Sequence, residues 1–203
     1  MSIAAKKYTN LIAGPCYSTF AVERTQDSKL PTFIDKDLLA TSKAYNVEYT
    51  IHSCPKSFKR EIKVVFHSLK NNSLDDLYII PIFQKTKYPM VEWSEEIKIE
   101  KDVLLLKFYN WGQTFVSKLN KLGYWADIVC PASGVPVFSS NNSTIYSEVE
   151  GCRSLLKYST FNVGSCSVIS HPLWDMNNYP ATAFAIAPPE IIIGVIDDMK
   201  IDE

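Results

Sequence analysis

Apolar side chains recur along this chain with two periods, and the longest regular stretch is helical. Leu104, Phe108, Trp111, Phe115, Leu119 and Leu122 follow one another at steps of three and four, which sets large apolar groups along one side of a helix and requires that side to be buried. Asp102 is placed to cap its start, Lys118 and Lys121 fall in its last turn, and Gly123 offers the left-handed stop. Gly112 in mid-helix predicts close approach by a neighbouring element. Ile97 and Ile99 alternate with charges ahead of this helix, and Tyr124, Ala126 and Ile128 alternate with Trp125 and Asp127 behind it. The pattern therefore predicts a strand, a long helix and a strand.

Upstream, Val47, Tyr49 and Ile51 alternate with Glu48, Thr50 and His52 as one strand, after which Ser53 caps a helix with Pro55 in its first turn. Phe58, Ile62, Val65, Phe66 and Leu69 make the apolar stripe of that helix, and Lys56, Lys59, Arg60 and Lys63 make a solvated face. Leu77 to Phe83 reads as a nearly continuous apolar strand whose Pro81 favours an edge or a bulge. Downstream, Cys130 to Phe138 gives a turn and a short strand, Ser139 to Thr144 a solvated loop, and residues 145–158 either a short helix or irregular chain. Val163 to Ile169 alternates as a strand broken by Gly164, and Ala181 to Ala187 is a last strand before Pro188 and Pro189. The run Ile191-Ile192-Ile193 needs cover from the domain or from a partner, and an oligomer interface there is one reading. Strands and helices in mixed order predict an α+β class built on a largely antiparallel mixed sheet with packed helices. Residues 46–203 are expected to form one domain, preceded by a flexible segment over residues 1–45.

Composition narrows the function classes. The 21 basic and 22 acidic residues nearly cancel, which removes the electrostatic case for nucleic acid or an anionic membrane surface. The apolar run from Ala181 to Ile196 is interrupted by Pro188, Pro189 and Glu190, too short for a membrane span. The five cysteines, Cys16, Cys54, Cys130, Cys152 and Cys166, are scattered with no C-x-x-C pair and suit a reducing compartment, the cytoplasm. The sequons at Asn71, Asn141 and Asn142 are then chance matches. Residues 1–22 carry Lys6, Lys7 and several hydroxyls but no acidic residue, the bias of a mitochondrial presequence, without the arginines such segments usually hold.

Candidate chemistry is sparse: the chain has no nucleophile elbow, phosphate loop, dinucleotide fingerprint or zinc-protease motif. Ser165, Ser167, His171 and Asp175 lie close in sequence, but triads assemble from distant segments. His52 and Cys54 supply two metal-type ligands without a third. The segment from Gly164 to Trp174 stands out. Gly164 would let backbone approach a ligand, Cys166 offers a soft sulfur suited to cobalt or copper, His171 a base and Trp174 a flat surface. On chemistry alone the plainer reading is preferred, a strand end in which Cys166 is a small buried hydrophobe.

Cys54-Pro55, Gln84-Lys85-Thr86-Lys87, Trp93-Ser94-Glu95-Glu96, Gly123-Tyr124-Trp125-Ala126-Asp127, Ser133-Gly134 and Val168-Ile169-x-His171-x-Leu173-Trp174 follow in the order seen in the CblD family of cobalamin trafficking proteins. The chain resembles that family over residues 46–188, with no visible match before residue 46. The resemblance implies a fold similar to the flavin nitroreductases but without flavin, no enzyme activity and no tightly bound cofactor. It implies docking onto a CblC-like cobalamin-processing protein and transient carriage of cobalamin toward cytosolic methionine synthase and mitochondrial methylmalonyl-CoA mutase. It also places the cobalamin contact at Gly164, Ser165, Cys166, His171 and Trp174. The family's first of two adjacent cysteines, implicated as a cobalt ligand, falls on Ser165, and the second on Cys166. A hydroxyl cannot replace a thiolate, so Cys166 is the candidate cobalt ligand, provided the glycine-led stretch is irregular, because in a regular strand Cys166 and Ser165 face opposite ways. A flavin-dependent reductase on the same fold is the alternative.

Overall fold

The computed structural model describes residues 47–139, 144–164 and 166–199, with the backbone of a short strand at 32–33. The expectations for residues 1–22, for the remaining lead-in, for most of the 139–144 loop and for Ser165 lie outside the described residues. The central sheet has six strands: β1 (Thr32–Phe33), β2 (Val47–Tyr49), β3 (Ile51–Ser53), β4 (Leu77–Lys85), β5 (Trp125–Val129) and β8 (Asn178–Ile186). Its order is β1-β3-β4-β8-β5, with β2 also on β4, and every pairing is antiparallel. A separate two-stranded hairpin, β6 (Ser159–Val163) and β7 (Cys166–Ser170), stands off this sheet. Helices α1 (Lys56–Val65), α2 (Glu95–Lys121), α3 (Glu148–Leu155) and α4 (Pro189–Asp198) and a 3-10 turn (His67–Leu69), which carries Leu69 beyond the end of α1, complete the described elements. None of these helices is long and apolar enough to cross a membrane.

The sheet is buried on both faces, as the nearly continuous apolar runs of β4 and β8 require. Ile80, Ile82, Ile128 and the alanines of β8 meet Phe108, Trp111, Phe115 and Leu119 of α2 and Ile192 and Ile196 of α4. Leu77, Ile79 and Phe184 turn the other way, onto Phe58, Ile62, Val65 and Phe66 at α1 and Leu155 of α3. The apolar run at 191–196 is thus covered by the domain itself and is not an open interface. Gly112 lies where α2 crosses β5: a Cβ there would come within 2.4 Å of Ile128 Cδ1. The predicted close approach is present. The left-handed stop is present too, with Gly123 at φ 84°.

Three local expectations are corrected. Residues 97–99 belong to α2 and not to a strand: Ser94 caps the helix by accepting from the Ile97 N–H at 3.3 Å, so Asp102 sits inside it and caps nothing. One Ile-x-Ile step fits a helix when one residue faces out, and Ile99 does. Ser53 ends β3, and α1 starts at Lys56 with Pro55 at its N-cap, which makes no side-chain cap bond. Pro81 lies in an interior strand and not at an edge. β2 and β3 run in one register along β4, and the ladder breaks where Thr50 meets Pro81: the Thr50 N–H donates to the Pro81 carbonyl at 3.2 Å, and proline has no N–H to return. The undecided stretch at 145–158 contains α3, capped by Ser147.

Candidate functional site

Gly164 is a hairpin residue and not the middle of one strand. Val163 and Cys166 close a two-residue turn with Gly164 at φ 61°, a conformation that glycine adopts without strain. Nothing lies within 4 Å of the Cβ it lacks. Gly164 thus serves the turn at the far end of a projecting hairpin. Cys166 is the first residue of β7, half-buried, and lies on the same hairpin face as Phe161, Val163 and Val168. It is disulfide-bonded, whereas Cys54, Cys130 and Cys152 are free and buried. Burial pushes the Cys54 thiol up to about 12 and the Cys152 thiol well above its ordinary range.

The hairpin returns to the sheet through the turn His171-Pro172-Leu173-Trp174-Asp175. His171 and Asp175 exchange backbone bonds of 2.9 and 2.8 Å, and Asp175 takes φ 49°. Asn178 ties the turn from below, its Nδ2 donating to the carbonyls of Ile169 and Asp175. Leu173 is left 71% exposed at the apex. His171 itself is only 2% exposed. Its ring stacks on Trp174 at 4.2 Å between centroids and lies 5.0 Å from Phe83 and 5.4 Å from Tyr158. Nδ1 accepts from the Leu173 N–H at 3.3 Å, so the proton is assigned to Nε2, which faces Glu48 Oε1 at 3.0 Å. With both nitrogens engaged, His171 is an anchor and not an available base.

The other sequence candidates separate. Ser167 donates to Asn162, Ser170 to Asp175, and His171 to Glu48, so no Ser-His-Asp relay forms among the described residues. His52 shares its Nε2 with Thr50 Oγ1, and burial lowers it to about 4. No cluster of three metal-type ligands occurs among the described residues.

Two features had no advance reading. A cavity of about 210 Å³ opens at the base of the hairpin, between Val168 and Ile169 of β7 and Met90, Met176, Glu148 and Asn178. Glu148 keeps partial exposure as a residue, yet its Oε1 is buried without a partner among the described residues, and its Oε2 accepts from Thr182 Oγ1. Burial drives its carboxyl up to about 8. The Ser147-Glu148-Val149-Glu150 cap signature could have located this helix start. No local signal could have paired Glu48 with His171 across 123 residues of chain.

A family model described as methylmalonic aciduria and homocystinuria type D protein matches residues 3–195. The chain belongs to this family, CblD. The match reaches into the N-terminal segment, further than the motifs alone suggested. Cobalamin trafficking protein CblD of Homo sapiens is 36% identical over 145 residues, covering 71% of this chain and 48% of the human protein. The Mus musculus protein of that name is 34% identical over 157 residues, 75% of this chain and 51% of its own length. The Gallus gallus one is 30% identical over 145 residues, 71% and 48% respectively. The chain thus spans about half the length of these curated relatives.

Proposed function

We propose that this chain is a non-catalytic adaptor in cobalamin trafficking, built on the flavin-free counterpart of a nitroreductase fold. It docks onto a CblC-like processing protein in the cytoplasm and helps pass the cofactor toward methionine synthase and, in mitochondria, methylmalonyl-CoA mutase. The contact lies at the hairpin tip, with Gly164, Ser165 and Cys166, and at the exposed Leu173 apex that His171 and Trp174 hold in place.

The placement of Cys166 carries this reading. The described free thiols are sealed in the core, while Cys166 opens strand β7 on the hairpin, two residues after Gly164 at φ 61°, which supports the reading that this sulfur is presented outward. A disulfide sulfur is a poor ligand, so cobalt binding follows reduction to the thiolate. The test mixes the protein, a CblC-type protein and cob(II)alamin under reducing, anaerobic conditions and records absorption and EPR spectra. A complex with a thiolate-type cobalt signal is expected from the wild type. Cys166→Ser should keep its fold and docking but lose that signal. A signal unchanged in the variant removes Cys166 as ligand, and absence of any complex removes the adaptor reading.

A further inference from the structure

Among the described residues nothing covers the outer edge of β6, and its own sequence does nothing to shield it. In a two-residue hairpin the closing pair, here Val163 and Cys166, exchanges both backbone bonds, and bonding then alternates along the strand. Phe161 and Ser159 bond to β7, so Thr160 and Asn162 turn their N–H and C=O groups outward, where no described residue meets them. Open edges are usually guarded by a lysine, a proline or a bulge. Ser159-Thr160-Phe161-Asn162-Val163 has none of these. Phe161 is 50% exposed and Val163 42%, on one face of the hairpin. The far edge of β5 is handled differently: the Val137 N–H bonds back to the Ile128 carbonyl, and Asp127 accepts from the N–H groups of Phe138 and Ser139.

We propose that β6 is a self-association site, at which two copies of this chain pair their β6 strands antiparallel about a two-fold axis with Phe161 opposite Phe161. The register suits a second copy as the occupant. The outward residues Thr160 and Asn162 flank Phe161 symmetrically, so Thr160 of each copy bonds Asn162 of the other, and both donors and both acceptors on each edge are used. Phe161 then falls at a non-hydrogen-bonded position, where facing Cα atoms are about 4.5 Å apart and side chains pack most closely. A strand bearing a charge would face its own like charge across such an axis; this strand bears none. The two-stranded sheet is thereby doubled into one ribbon whose tips point to opposite ends, leaving each Gly164 turn exposed.

Sedimentation of the full chain across the micromolar range, together with residue-resolved amide exchange at both ends of that range, tests this. The expected result is a shift from monomer to dimer mass, with the Thr160 and Asn162 amides slowing as the dimer forms. The Phe161 and Val163 amides, already bonded to β7, should hardly change. Asn162→Pro deletes an outward donor and leaves the β7 bonds alone, losing only the exposed bond from Ser167. It should remain monomeric with an unchanged melting temperature. Phe161→Lys, which sets like charges face to face, should also stay monomeric. A wild type that is monomeric throughout overturns the proposal, including the case in which β6 pairs only with a strand of another protein. So does a dimer in which Thr160 and Asn162 exchange as in the monomer, or dimerisation of both variants as strong as the wild type.

Discussion

His171 shows how one residue can be legible and misread. Its place beside Leu173 and Trp174 singled the segment out, but a histidine in a sequence looks like a base until its neighbours are known. Here Glu48, from a strand far away in the chain, accepts a hydrogen bond from its Nε2–H, and three aromatic rings exclude water. A glutamate alternating with apolar residues normally faces solvent, so Glu48 carried no sign of its burial. Removing one side of a buried bond costs the desolvation of the other. Glu48→Ala should lower the unfolding free energy by about 1–3 kcal/mol in urea, and Glu48→Gln, whose amide oxygen still accepts, by clearly less. The ¹⁵N shifts of the His171 ring check the assignment directly, with Nε2 protonated and Nδ1 bare.

At the scale of elements, periodicity carried far because most faces are set by neighbours in sequence. The α2 stripe from Leu104 to Leu119 is buried as its spacing required, and α1 buries Phe58, Ile62 and Val65. Leu122, in step with the stripe, is exposed because the helix ends there. What failed depended on partners in space: Pro81 is tolerated in an interior strand because the ladder on one side breaks at Thr50. Likewise the hairpin was hidden because Val163 to Ile169 alternates through its own turn. Helix and strand also meet at a contact that can be tested. Gly112→Ala gains about 1 kcal/mol in helix propensity but drives a methyl into Ile128, and overpacking costs typically 1–3 kcal/mol. The single variant should therefore be destabilised on balance. Ile128→Val, which removes the offending Cδ1, should cost less in the Gly112→Ala background than in the wild type. A double-mutant cycle by chemical denaturation measures the difference.

For the whole molecule, buried ionisable groups set how stability follows pH. Glu148 titrates near 8 in the fold against an ordinary value of 4.5, so between those limits the folded state holds a proton that the unfolded state has released. Its contribution is full below about 4.5 and declines by roughly 1.4 kcal/mol per pH unit up to about 8. His52 acts in the opposite sense: its folded value of about 4 lies below the ordinary 6.5, so its contribution is present above 6.5 and is lost as pH falls toward 4. Glu148→Gln should abolish the alkaline part of this dependence, and its advantage over the wild type should grow from pH 5 to pH 8. Urea midpoints taken at each pH check this.

The hairpin stands off the sheet, and a Cβ added at Gly164 would meet nothing beyond its chain neighbours within 4 Å, so the turn asks for glycine through its φ of 61° and not through packing. Packing therefore offers little resistance at Gly164, whereas a hydroxyl in place of the Cys152 sulfur would be buried beside Phe83 and Ile169 at the cost of its desolvation. Scaffold and tip are in this sense uncoupled: a change at Gly164 is felt in the turn, and a change at Cys152 in the core.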